Sequence, residues 1–126
     1  MSLCVLTACG SEKEPEHTLT FEQGKIVSGE TMGVDFDMVG LFFQYTNGSN
    51  ETIMPADAIS VKAFQNGTEL TVMVVTSQKT EGYIQCDTSV QAGTTAGVVW
   101  LFELQDNSTV SVECGDGQKF DVELQN

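Results

Sequence analysis

The sequence predicts an all-β protein, an antiparallel β-sandwich of about seven or eight short strands. Three observations carry that prediction. Apolar residues recur at every second position, most clearly through Ala96, Val98, Trp100, Phe102 and Leu104. Clusters rich in Gly and Asn interrupt the chain at short intervals. No stretch keeps a helical period over helical length. The helical expectation is limited to one short turn at residues 55–58, Pro55-Ala56-Asp57-Ala58, where Pro is tolerated at the start.

In chain order, Leu19, Phe21 and Ile26 with their β-branched neighbours place a first strand over Thr18–Val27, ended by Ser28-Gly29-Glu30. A longer one runs over Val34–Thr46. Its apolar phase shifts near Met38-Val39-Gly40, which fits either a bulge at Gly40 or a later half covered on both faces. After the turn cluster Thr46–Thr52 and the helical turn, strand character resumes over Ile59–Gln65. Asn66-Gly67 is the strongest local signal, because a two-residue type I′ turn needs positive φ at both positions. Pairing Gln65 with Thr68 then sets Ala63 against Leu70 and Val61 against Val72, with the apolar side chains on one face. Thr71–Thr76 is β-branched, Ser77–Glu81 reads as a loop, and Tyr83, Ile84 and Cys86 form a short strand. Thr94–Leu104, apolar on both faces until Glu103, is the expected central strand. Val110, Val112 and Cys114 alternate with polar residues, as do Phe120, Val122 and Leu124. These two runs predict an antiparallel pair with one solvated face.

The chain divides into three parts. Residues 1–8 read as the remnant of a lipoprotein signal preceded by a cloning scar, residues 9–18 as a polar tether, and residues 19–126 as the sandwich domain. Leu6-Thr7-Ala8-Cys9-Gly10 resembles the lipobox of bacterial lipoproteins, in which an apolar residue and two small ones precede a lipidated cysteine. The resemblance implies lipid attachment at Cys9 and an extracytoplasmic domain anchored to the outer face of the cell membrane. The run Gly10–Thr18 carries charge and Pro15 but no large apolar residue, so it buries nothing and behaves as a tether. His17, the single histidine, falls in that run and reads as solvated.

The segments Phe42–Ser49, Val61–Leu70 and Val90–Thr94 resemble an immunoglobulin-like domain-of-unknown-function family found in lipoproteins of Gram-positive bacteria. That family is thought related to a mycobacterial secreted immunoprotective antigen. The similarity spans about residues 19 to 124. It implies an immunoglobulin-like sandwich outside the cytoplasm, and it transfers no activity and no functional residue.

Charge and residue content then narrow the function. Five Lys, no Arg and 18 acidic residues give a net charge of -13, which repels phosphate backbones and excludes nucleic acid as a partner. The same charge favours a soluble monomer. With Cys4 in the signal and Cys9 at the anchor, Cys86 and Cys114 remain, and an even remainder in an exported protein predicts a disulfide between them. There is no Cys-x-x-Cys pair, no second histidine and no Gly-rich phosphate loop, so no metal, cofactor or catalytic residue is assigned. Asp35 and Asp37 share one strand face, a geometry calcium uses, but alternating acids on a strand are usually its wet side. Asn47, Asn50, Asn66 and Asn107 each begin an Asn-x-Ser/Thr triplet and read as turn residues. Phe42, Phe64 and Tyr83 are core aromatics by pattern, or an exposed binding patch if they cluster. The expectation is a non-catalytic binding or interaction module for a protein, peptide or small ligand at the cell surface. The alternative is a carboxylate-based enzyme or calcium-binding domain acting on cell-envelope or extracellular carbohydrate.

Overall fold

The computed structural model describes residues 16–31, 33–74 and 82–124. Cys9 and the lipobox, Met32, and the predicted loop Ser77–Glu81 lie outside the described residues. Among the described residues, nine strands and one helical turn follow in order: β1 (His17–Thr31), β2 (Val34–Asn47), α1 (Pro55–Ala58), β3 (Val61–Gln65), β4 (Thr68–Glu69), β5 (Val72–Met73), β6 (Ile84–Gln85), β7 (Thr95–Glu103), β8 (Val110–Cys114) and β9 (Lys119–Val122). They form two sheets. One has the order β9-β8-β3-β4, and the other β1-β2-β7-β5, with β6 also pairing on β7. All pairings are antiparallel except the short β6–β7 ladder. The predicted all-β, immunoglobulin-like sandwich is therefore the fold, and β7 is central in its sheet.

The two sheets face each other over an inner core. Val39, Leu41, Phe43 and Tyr45 of β2 and Val98, Trp100 and Phe102 of β7 meet Val61, Ala63, Val110, Val112 and Val122 of the opposite sheet. Trp100 and Phe43 meet edge to face at 5.3 Å, a geometry aromatic quadrupoles favour. The alternate residues of the same strands, Met38, Phe42, Val99 and Leu101, join Val27 in a second buried cluster on the outer side of the five-stranded sheet. The phase shift at Met38-Val39-Gly40 thus has the second of its two explanations, because both faces of β2 are covered. The β1–β2 register runs without interruption past Gly40, and the irregularity lies instead in β1 between Phe21 and Gln23.

Tyr83 closes part of that second cluster. Its ring meets Phe42 edge to face at 4.9 Å, and its hydroxyl donates to the Glu22 carboxylate. A Cβ on Gly97 would stand 2.8 Å from the Tyr83 ring, so the seat exists only because residue 97 is glycine. Phe42 is fully buried while Phe64 and Tyr83 are half-buried, which places these aromatics in or against packed structure.

At the hairpin, Asn66 and Gly67 have φ of 53° and 81°, and Gln65 pairs with Thr68 as the turn type demands. The Leu70 amide donates to the Ala63 carbonyl at 2.7 Å, but the expected meeting of Val61 with Val72 does not occur. Val61 pairs with Cys114, whereas Val72 crosses to the other sheet and pairs with Phe102. The second strand leaves the hairpin after Leu70 because the edge of β7 offers it unpaired backbone groups.

The buried side chain of Gln65 fixes this corner to the β7–β8 loop. Its Nε2 donates to the carbonyls of Asp106 and Ser108, each at 2.9 Å. Its Oε1 accepts from the amides of Gln105 at 2.9 Å and Asp106 at 3.3 Å. The Asp106 carboxylate, held below the ordinary carboxylate range by its hydrogen bonds from Ser108 and Asn66, completes the joint. Gln65→Ala strands these loop groups and is expected to cost about 2 to 4 kcal/mol. Urea denaturation checks this, with the midpoint falling at an unchanged m-value.

Candidate functional site

An open cleft of about 410 Å³ lies at one end of the sandwich, lined by Glu16, His17, Ala58, Ile59, Ser60, Gly115 and Asp116. Each wall follows from local chain chemistry. β1 starts at His17, two residues earlier than the sequence pattern placed the domain boundary, because His17 pairs with Asn47 and has a partner in the core. Its Nδ1 is hydrogen-bonded to the Tyr45 hydroxyl at 2.8 Å, and the two rings stack at 6.0 Å with only 11° between their planes. The expectation of a solvated tether histidine is therefore corrected. His17 is half-buried and caps the inner core where the sheets part. Tyr45 itself is fully buried, and burial raises its phenol above the ordinary value, which keeps the hydroxyl neutral and available for that bond.

The chain reaches His17 along a fixed path. The Gly48 amide donates to the Glu16 carbonyl at 2.6 Å, and a Cβ on residue 48 would stand 2.7 Å from that same oxygen. Across the cleft, α1 is a single turn started by Pro55, and its Ile59 amide donates to the Pro55 carbonyl at 3.0 Å. The Ala56 amide reaches the Cys86 carbonyl at 3.0 Å, tying the turn to the segment after β6. The Gly115 amide donates to the Ser60 carbonyl at 2.7 Å and so joins the start of β3 to the end of β8.

Asp116 is held by Gln118, whose Nε2 donates to Asp116 Oδ2 at 2.7 Å and whose amide donates to Oδ1 at 3.2 Å. The same Nε2 donates to the Leu19 carbonyl at 3.0 Å, so one amide group both positions the carboxylate and bridges the sheets. The whole end rests on Asn47. Its Nδ2 donates to the carbonyls of Glu51 at 2.8 Å and Val90 at 2.9 Å, while Oδ1 accepts from the Ser49 amide at 3.0 Å.

The other residues singled out from sequence lie elsewhere. Cys86 follows β6 and Cys114 ends β8, on opposite sheets, and both are buried free thiols instead of the expected disulfide. Burial pushes each thiol up to about 11, with Asp87 adding to Cys86 and Asp116 to Cys114. Both thus stay protonated and unreactive at neutral pH. Asp35 and Asp37 are exposed on β2, opposite Glu30 and Ser28. Among the described residues no three His, Cys, Asp or Glu side chains are grouped to hold a metal ion. Asn47 and Asn66 sit at turns as expected, Asn47 buried at the end of its strand and Asn66 in the hairpin.

Sequence reasoning did not single out Glu16, Ser60, Asp116 or Gln118, and it discounted His17. One signal was present, since His17 is in period-two phase with Leu19 and Phe21. The others sit in turns whose composition explains itself without a site.

Residues 11–116 match the family described as Domain of unknown function (DUF5067). The chain belongs to that family. The DUF5067 domain also matches a solved structure from Staphylococcus aureus subsp. aureus NCTC 8325, described as a "putative lipoprotein", with a TM-score of 0.65. That match has 10% identity and covers 89% of this chain and 91% of the other. At that identity it shows the sandwich fold and nothing of the activity. No curated protein matches the chain. The relation to a mycobacterial secreted antigen finds no support in these similarities.

Two outcomes check the site. Asn47→Asp sets a carboxylate oxygen against the Glu51 and Val90 carbonyls, and is expected to cost about 3 kcal/mol. Thermal melts with near-UV circular dichroism would show it. For the thiols, the folded state keeps protons that an unfolded thiol loses near its ordinary value of 9.0, so stability falls as pH rises from there towards 11. The Cys86→Ala/Cys114→Ala variant should show a shallower fall in melting temperature over that window. Alkylation of denatured, unreduced protein should label both cysteines, and a disulfide-linked peptide would restore the bridge.

Proposed function

We propose that this DUF5067 chain is the outer domain of a lipid-anchored extracytoplasmic lipoprotein and serves as a non-catalytic binding module, with the cleft at His17 as its ligand site. The observation that carries this reading is the spacing between anchor and cleft. Cys9, in the lipobox-like Leu6-Thr7-Ala8-Cys9, is eight residues before His17. At about 3.5 Å per extended residue those eight residues span at most about 28 Å. A lipid on Cys9 therefore keeps the cleft close to the membrane surface, where it meets ligands of the cell envelope.

Other features agree with this placement. The S. aureus protein that shares the fold carries a lipoprotein description of its own. No helix among the described residues is long and apolar enough to cross a membrane. The cleft volume falls in the range typical of small-ligand sites, roughly 300 to 1,000 Å³. The charge of -13 opposes binding to nucleic acid or to anionic headgroups, and leaves the acyl chain as the source of membrane affinity.

Expression behind a complete lipoprotein signal peptide tests the anchor. The protein is expected in the membrane fraction and in the detergent phase of a phase-separation assay, and Cys9→Ser should move it to the soluble fraction. Retention of the Cys9→Ser protein on membranes would refute anchoring through that residue.

A further inference from the structure

We propose that Asn66 is a site of spontaneous chemical modification, in which its side-chain amide becomes a carboxylate through a cyclic imide, and that the change loosens the joint between the β3–β4 hairpin and the β7–β8 loop. An Asn-Gly pair favours this reaction, because glycine puts no side chain in the way of its own backbone nitrogen. The Gly67 nitrogen gives up its proton to base and attacks Cγ of Asn66. A C–N bond forms and closes the imide ring, the Cγ–Nδ2 bond breaks, and ammonia leaves. Water then opens the ring at either carbonyl, giving aspartate or β-linked isoaspartate without any change of oxidation state.

The chain has two Asn-Gly pairs, Asn47-Gly48 and Asn66-Gly67, and the fold treats them oppositely. Asn47 is fully buried, with Nδ2 donating to the Glu51 and Val90 carbonyls and Oδ1 accepting from the Ser49 amide. The Gly48 nitrogen is engaged as well, donating to the Glu16 carbonyl at 2.6 Å. Both reacting groups are therefore held, and burial keeps out the water that completes the reaction. Asn66 and Gly67 are exposed, and a Cβ on Gly67 would meet nothing within 4 Å, so the turn is open to water.

The product disturbs what Asn66 now supports. Its Nδ2 donates to Asp106 Oδ2 at 2.9 Å, while Asp106 Oδ1 accepts from the Ser108 amide at 2.8 Å. After modification a carboxylate faces that carboxylate where a donor stood, and the two repel. The Asp106 carbonyl is also one of the groups that the buried Gln65 side chain binds, so the strain falls on the joint itself. Isoaspartate adds a methylene to the backbone of a turn that needs two residues, and β4 has only Thr68 and Glu69 to hold the register.

Incubation of the folded chain at neutral and mildly alkaline pH, followed by trypsin digestion and mass spectrometry, tests the assignment. Cleavage after Lys25, Lys62 and Lys79 puts Asn66 alone in fragment 63–79 and Asn47 with Asn50 in fragment 26–62. Amide loss is expected about tenfold faster in fragment 63–79, the factor that one net hydrogen bond holding Asn47 supplies, and faster at the higher pH. In urea-unfolded chain the two rates should converge. Equal rates in the folded chain, or amide loss at Asn66 only after unfolding, would overturn the assignment. Asn66→Asp imitates the product and should melt at a lower temperature, less so in high salt, with recovery in the Asn66→Asp/Asp106→Asn variant that exchanges donor and acceptor. An unchanged melting temperature for Asn66→Asp would overturn the loosening and leave the modification site standing.

Discussion

Asn47 hydrogen-bonds through every polar group it owns. Its amide donates to the Thr94 carbonyl at 2.9 Å and its carbonyl accepts from Gly93 at 2.7 Å, while the side chain holds Ser49, Glu51 and Val90. One fully buried residue thereby ties the end of β2 to the loop before α1 and to the turn before β7. Its strand partner is His17, and its neighbour Gly48 holds Glu16. The cleft walls on the β1 side are thus set by a residue that does not itself line the cleft. Gln65 plays the equivalent part at the opposite sheet, where a buried amide satisfies four backbone groups of the β7–β8 loop. Buried polar groups are costly unless fully paired, so each such amide specifies one arrangement of its loops and opposes the others.

The five-stranded sheet is covered on both sides, which gives it a different mechanical character from its partner. β2 and β7 bury alternate residues in two separate clusters, so shifting either strand by one register would exchange two fitted sets of side chains. β3, β8 and β9 alternate buried with exposed residues and have one wet face. The cleft opens where these two kinds of sheet diverge. One wall is backed by Tyr45 and the five-stranded sheet, and the other is made from the segments next to the ends of β3 and β8. A preformed pocket of this kind costs little ordering when a ligand enters.

Charge, anchor and cleft fit one account. The described lining of the cleft carries two carboxylates, Glu16 and Asp116, beside the His17 imidazole, and the proposed lipid site at Cys9 is eight positions before that histidine. Burial is the main cause that pushes both thiols up to about 11.

By itself the sequence determined the all-β class, the central place of Thr95–Glu103, the helical turn at Pro55–Ala58 and the register at Asn66-Gly67. Each is written in local chemistry: a period of two, a proline at a first helical position, or a residue pair that accepts positive φ. Only the tertiary structure decided where Val72 pairs, that Met38 and Phe42 belong to a second core, that Cys86 and Cys114 are both buried, and that His17 stacks on Tyr45. The cleft belongs to the same group, since Glu16, Ser60 and Asp116 come from three separate parts of the chain. These outcomes depend on which side chains and backbone groups meet across the sheets, and no local pattern encodes a meeting between residues so far apart in the chain.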